Sequence, residues 1–190
     1  MPKWNAKRGA LLGSTVLLLI ATSAYWVAAP GTASNRPTAQ NTQGFAIHDH
    51  LRRVAGAQAQ PLIARLRSRP DDPALLAEIG KTYYSNYDFA DAIPYYRKSL
   101  SMKDDVNVRT NLGGLYYYSG DTKSALAEFE QVLKQDPGND SALFNLGLVR
   151  WQGARDAAGA IAAWRELLRT HPDHPRRAEV EQWIRRAENR

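Results

Sequence analysis

The chain of 190 residues contains no cysteine. That absence excludes disulfide staples, thiol nucleophiles, cysteine-ligated zinc and a lipid anchor carried on Cys. It suits an oxidising compartment without identifying one. Histidine is scarce as well, with His48 and His50 in one place and His171 and His174 in another. The first pair adjoins a polar stretch, and metal ligation would need the two clusters to converge or a third ligand to join one of them, so both read as solvated loop histidines and not as a metal site. Also missing are a Ser/His/Asp set, a glycine-rich phosphate loop and an HExxH helix. No residue is therefore nominated as a nucleophile, no cofactor is implied, and no enzyme is expected. There is no block of like charge either. The net charge of +6, from 25 Lys and Arg against 19 Asp and Glu, is dispersed along alternating faces, which argues against nucleic acid as a partner.

What the sequence does have is a repeat. Gly80, Gly113 and Gly147 lie 33 and 34 residues apart; Ala92, Ala125 and Ala160, and the aromatics Tyr96, Phe129 and Trp164, keep the same beat. The last Ala interval is 35, because Trp151–Ala158 carries one extra residue. A period of this length means stacked helical hairpins rather than a globular core with a cleft.

Leu11–Ala29 is a run of 19 residues without a charge, about 28 Å long as a helix and close to the thickness of a bilayer core. Residues 1–10 carry Lys3, Lys7 and Arg8 ahead of it, and Tyr25 and Trp26 stand at its far end. That charge bias keeps the N-terminus in the cytoplasm and exports the rest. The run is expected to be a transmembrane helix over 11–29; a signal peptide cleaved near Gly31-Thr32-Ala33 remains the alternative. In either case the repeats lie outside the cytoplasm: in the periplasm on a single-pass inner-membrane anchor, or secreted there.

Residues 30–47 are rich in Pro, Gly, Ser, Thr, Asn and Gln and read as a flexible linker. Residues 48–72 read as a helical half-repeat, with helix resuming near Asp49, Pro61 near the start of its patterned part and Leu62, Ile63 and Leu66 at helical spacing. Three hairpins follow at 73–105, 106–139 and 140–174. In the first, Leu75, Leu76, Ile79 and Tyr83 face Phe89, Ala92, Ile93, Tyr96 and Leu100. Asp88 and Asp121 sit where a short polar side chain caps a helix start, and Ser119-Gly120-Asp121 is the sharpest turn. Asp136-Pro137 and His171-Pro172 end the later copies. Residues 175–190 read as a capping helix whose Val180, Trp183, Ile184 and Ala187 form one stripe, with Trp183 expected against Ala163 and Leu167.

Leu76…Ile79-Gly80…Tyr83…Ala92…Tyr96, Leu112-Gly113…Tyr116…Gly120…Ala125…Phe129…Pro137 and Leu143…Leu146-Gly147…Ala160…Trp164…Pro172 together resemble the tetratricopeptide repeat family over Pro73 to about His174. Arg109 and Arg150 depart from it, standing where the family usually has a large apolar residue and Tyr. The resemblance implies an all-α, right-handed solenoid of three repeats with a half-repeat before and a cap after, next to the N-terminal transmembrane helix. It also implies that the first helix of each repeat lines a concave peptide groove. On the groove side would stand Ala74, Ala77, Glu78, Lys81 and Tyr84, then Thr110, Asn111, Gly114, Tyr117 and Tyr118, then Phe144, Asn145, Leu148 and Trp151. Asn111 and Asn145 would meet peptide backbone, since an amide both donates and accepts. The aromatics would line the groove between them, although tyrosines in such repeats also pack between helices. Ala77 and Thr110 stand where a carboxylate clamp would want Lys or Asn, so that subtype is not expected.

The layout of anchor, tether and short exported array is also similar to the repeat subunits of bacterial cytochrome c maturation systems, to helpers of the secretion translocon and to envelope assembly factors. The expected role is a membrane-anchored scaffold binding a protein or peptide during envelope or cytochrome c assembly. A self-associating structural module is the competing expectation.

Overall fold

The computed structural model describes residues 39–189, with side chains from residue 47 onward. The expected basic N-terminus, the 11–29 span and residues 30–38 of the expected linker lie outside the described residues. Among those described, no helix is long and apolar enough to cross a membrane. The account below concerns the unit Thr42–Arg190.

Among the described residues eight α-helices follow one another. The first, α1 (Ala39–Ser68), is continuous through Pro61 and begins inside the stretch expected to be linker. No proline stands between Pro37 and Pro61, and Ala39, Gln40 and Gln43 are competent helix formers. Its Ala55 and Ala59 are fully buried among Leu75, Ile79 and Tyr83, with Leu62, Ile63 and Leu66 packed alongside.

The first hairpin is α2 (Pro73–Ser85) and α3 (Phe89–Met102). The second is α4 (Val106–Tyr118) and α5 (Thr122–Gln135). The third is α6 (Asp140–Leu148), a π-helical turn (Val149–Gly153) and α7 (Ala157–Thr170). The capping helix α8 spans Arg177–Glu188. Within each hairpin only three residues separate the two helices, namely 86–88, 119–121 and 154–156.

Local chemistry sets these boundaries. Asp72, Asp88, Asp105, Asp121, Asn139 and Asp156 each accept a backbone N–H of the first helical turn, satisfying a donor that has no intrahelical partner. The residue before each second-helix cap is left-handed: Tyr87 at φ 60°, Gly120 at φ 83° and Arg155 at φ 56°. Only Gly120 adopts that conformation without a Cβ penalty. The extra residue of the third copy is absorbed by the π-helical turn, where Ala154 N–H donates to Val149 O at 2.9 Å, five residues back.

Packing follows the repeat. Tyr96, Phe129 and Trp164 are almost wholly buried. Each lies against the glycine of the preceding helix: a Cβ on Gly80 would come within 2.8 Å of Tyr96, and one on Gly113 within 2.9 Å of Phe129. Ala92, Ala125 and Ala160 are fully buried beside them. Removing one such ring from water contributes about 1.5–3 kcal/mol, a gain available only because the glycines let the rings seat.

The two departures from the repeat pattern are polar bridges to α5. The Arg109 guanidinium donates to Asp104 Oδ1 at 2.5 Å and to Glu128 Oε2 at 2.7 Å. Arg150 donates to Glu130 Oε1 at 3.0 Å. The Asp104 carboxyl is held below its ordinary range, first by the hydrogen bond from Arg109.

Candidate protein-binding surface

The C-terminal ends of the first helices carry an aromatic row. Tyr84 contacts Phe89 with ring centroids 6.1 Å apart, Tyr87 approaches the same ring at 6.1 Å, Phe89 stacks on Tyr118 at 5.4 Å, and Tyr118 meets Tyr117 at 5.8 Å. The Tyr117 hydroxyl then donates to Gln152 Oε1 at 2.8 Å, carrying the row to the third repeat. Tyr118 is 50% exposed, high for so large a ring. Burial raises the pKa of Tyr84 and Tyr118, so both hydroxyls stay protonated and available as donors at neutral pH. Phe89 and Tyr87 were not expected in this row. Phe89 has the apolar spacing of a core position, and Tyr87 is turned toward it by its left-handed backbone.

The other expected groove residues divide. Lys81 is exposed. Asn111 is half-buried, and its amide donates at 3.5 Å to the Tyr96 hydroxyl. Asn145 donates to Ser141 O of its own helix at 2.8 Å. The two amides thus hold the same place in the repeat but different partners.

Phe144 is a correction. It is 7% exposed and covered, with the Arg176 guanidinium 4.0 Å above its ring, His174 stacked on it at 6.2 Å and Trp183 at 5.4 Å. Its ring belongs to the core and does not line a groove, because α8 and the turn before it lie across it. His174 is correspondingly a packing residue, and His171 shares a hydrogen bond of 2.9 Å with Thr170, so the second histidine pair is not simply solvated. Trp151 meets Trp164 edge to face at 5.5 Å and Trp183 at 6.5 Å, and is only partly exposed.

Trp183 packs on the second helix of the third repeat through Trp164 at 5.4 Å and against the cluster that holds Leu167, and its ring also meets Phe144 and Trp151. The deeper anchors of α8 are Val180, Ile184 and Ala187, buried with Leu167. Among the described residues no group of three or more His, Asp or Glu is placed to hold a metal ion.

Models of the tetratricopeptide repeat match residues 73–105 and 110–175. Among curated proteins, the photosystem I assembly protein Ycf3 of Prochlorococcus marinus (strain NATL1A) is 23% identical over 166 residues, covering 78% of this chain and 93% of the relative. Among solved structures, MamA superposes with a TM-score of 0.60 at 16% identity, over 75% of this chain and 91% of that one. YrrB, described as a repeat protein with an unusual peptide-binding site, gives 0.62 at 18% identity over 75% and 71%. These structural likenesses concern the fold, in which repeats of this kind serve as protein interaction scaffolds. With both models lying on hairpins whose glycines receive the aromatic of the next helix, the chain belongs to the tetratricopeptide repeat family.

Proposed function

We propose that this protein is an assembly scaffold that captures an extended segment of a partner protein along the row Tyr84, Phe89, Tyr118 and Tyr117. The observation that carries the reading is that row, half-open and continuous across repeats, with Tyr118 50% exposed. Large amphipathic rings provide contact area at low entropic cost, and tyrosines are enriched where proteins bind one another. Asn111 flanks the row with an amide whose oxygen accepts, and Lys81 supplies a cation. The likeness to photosystem I assembly proteins supports an assembly role, and the charge-free run 11–29 supports membrane anchoring with the repeats exported. Cytochrome c or envelope assembly is one instance of that class. The repeat family is generally non-enzymatic, and the role needs no chemical step.

Photo-crosslinking in cells, with benzoylphenylalanine at Tyr118 or at the exposed Lys98 of α3, tests the surface. A partner captured from position 118 and not from 98 is expected. Capture from 98 alone overturns the surface, and a crosslinked homodimer from 118 establishes self-association instead. Reporter fusions after Ile47 and Arg190 should be active only outside the cytoplasm; cytoplasmic activity at either overturns the anchoring.

A further inference from the structure

We infer that the C-terminal end of the array carries a second binding site, a cationic cleft for an acidic peptide segment of a partner, walled by Trp151 and charged by Arg185 and Arg186. The cleft opens beside the π-helical turn, has a volume of about 490 Å³, and is completed by Gln182 and Asn189. Gln182, Arg185 and Arg186 of α8 and the Asn189 that ends it follow at intervals of 3, 1 and 3, so one stripe of the helix faces it. Val180, Ile184 and Ala187 on the opposite stripe are buried.

Its charge follows from how the acids of α8 are used. Glu179 pairs with Arg176 at 2.8 Å, Glu181 with Arg177 at 2.9 Å and Glu188 with Arg165 at 2.7 Å. Every carboxylate of the helix is thus engaged by an arginine other than Arg185 and Arg186. Those two are exposed and enter no ion pair among the described residues. Residues 1–38 contain neither Asp nor Glu, so the chain's own N-terminal segment brings nothing to neutralise them. An acidic segment of a partner would meet no competing carboxylate at these two arginines among the described residues. Guanidinium groups take carboxylates through paired N–H···O bonds, and two adjacent arginines on one stripe suit a segment with closely spaced acids. The Trp151 ring offers the flat apolar wall against which the segment's methylenes pack.

This site is separate from the aromatic row, and its test is arranged to show that. The full-length chain, in neutral detergent and labelled with nitrogen-15 at tryptophan, is titrated with acetyl-Glu-Asp-Glu-Asp-Glu-Asp-amide. The uncharged acetyl-Gln-Asn-Gln-Asn-Gln-Asn-amide is the control, and the Trp151 indole signal is assigned with Trp151→Phe. The acidic peptide should move the Trp151 signal, with affinity falling as salt is raised. Arg185→Gln with Arg186→Gln should weaken binding about tenfold or more, while the double Lys variant, which keeps the charge but loses the paired N–H···O geometry, retains part of it. Both residues are exposed, so circular dichroism should stay unchanged. Tyr118→Ala should leave this titration intact even if the aromatic row fails as a binding surface. Equal binding of the uncharged peptide, or undiminished binding by the Gln variant, overturns the proposal. A dimer that dissolves in the Gln variant likewise overturns it, giving the cleft to a second copy.

Discussion

Gly147 and Trp164 compete for one volume: a Cβ built on Gly147 would overlap Trp164 Nε1 and its ring. The indole has nowhere to go, because it is fully buried and its N–H donates to Phe144 O at 3.2 Å. In the first two repeats the same relationship is looser, with Tyr96 and Phe129 near 2.8–2.9 Å. Alanine gains about 1 kcal/mol of helix propensity over glycine, against an overpacking cost of about 1–3 kcal/mol. Gly80→Ala and Gly113→Ala should therefore be destabilising by no more than about 1–2 kcal/mol, and Gly147→Ala by at least about 2 kcal/mol. Urea unfolding of the three variants gives the order, and Trp164→Leu in the Gly147→Ala background should recover part of the loss. Equal effects at the three positions would contradict the packing.

Tyr87 and Arg155 sit at the left-handed turn position that Gly120 fills without strain. Arg155→Gly should stabilise the fold by about 0.5–1 kcal/mol, since relief of strain exceeds the added freedom of the unfolded chain. Gly120→Ala should destabilise by about 1 kcal/mol. Tyr87→Gly should gain less, because it also removes the contact with Phe89. Midpoints of thermal unfolding report all three.

Trp183 ties α8 to the array through three rings. Trp183→Ala should cost about 2–4 kcal/mol, below the upper range for a wholly buried aromatic because the ring is partly exposed. It should also uncover Phe144, which near-ultraviolet circular dichroism would register as a change in aromatic packing. An unchanged melting temperature would make α8 an appendage.

Acid should weaken the fold through its paired carboxylates. Hydrogen bonds from Arg109 and Arg176 lower the pKa of Asp104 and Glu179 from ordinary values of 3.8 and 4.5. Bonds to Ser124 and Arg169 likewise lower Asp121 and Glu166. A lowered folded pKa gives stability that is present above the unfolded value and lost as pH falls through the folded one. Asp88 has the opposite sign, because burial raises its pKa, so its share is lost as pH rises. Four groups against one make the fold acid-labile below about pH 4.5. Urea midpoints measured down the pH scale should fall there, and less steeply in Asp104→Asn. Midpoints that rise toward acid would show that Asp88 dominates.

The glycine, alanine and aromatic beat made the hairpins legible, because each position has a steric reason to be that residue type and the reason recurs. The half-repeat and the cap were legible from apolar stripes alone. The π-helical turn was foreshadowed only as one surplus residue; whether a surplus becomes a longer loop or a wider helical turn depends on what that helix packs against. Arg109 and Arg150 looked like defects in packing, since their partners Glu128 and Glu130 lie on a neighbouring helix about twenty residues away in sequence, and only Asp104 beside Arg109 is local.

The candidate surface was half legible. Tyr84, Tyr117 and Tyr118 were nominated from their place on the first helices, but Phe144, nominated on the same groove side three residues before Gly147, is buried. Period and helical face by themselves determined the solenoid, its hairpin boundaries and which helices could present a binding surface. Tertiary structure decided which aromatics remain open, because α8 crosses the third repeat and covers Phe144 with Arg176, His174 and Trp183 while Tyr118 stays half in solvent. A repeat sequence specifies each residue's place within its own hairpin. Exposure depends on what stacks next, and at the end of the array that neighbour is the cap.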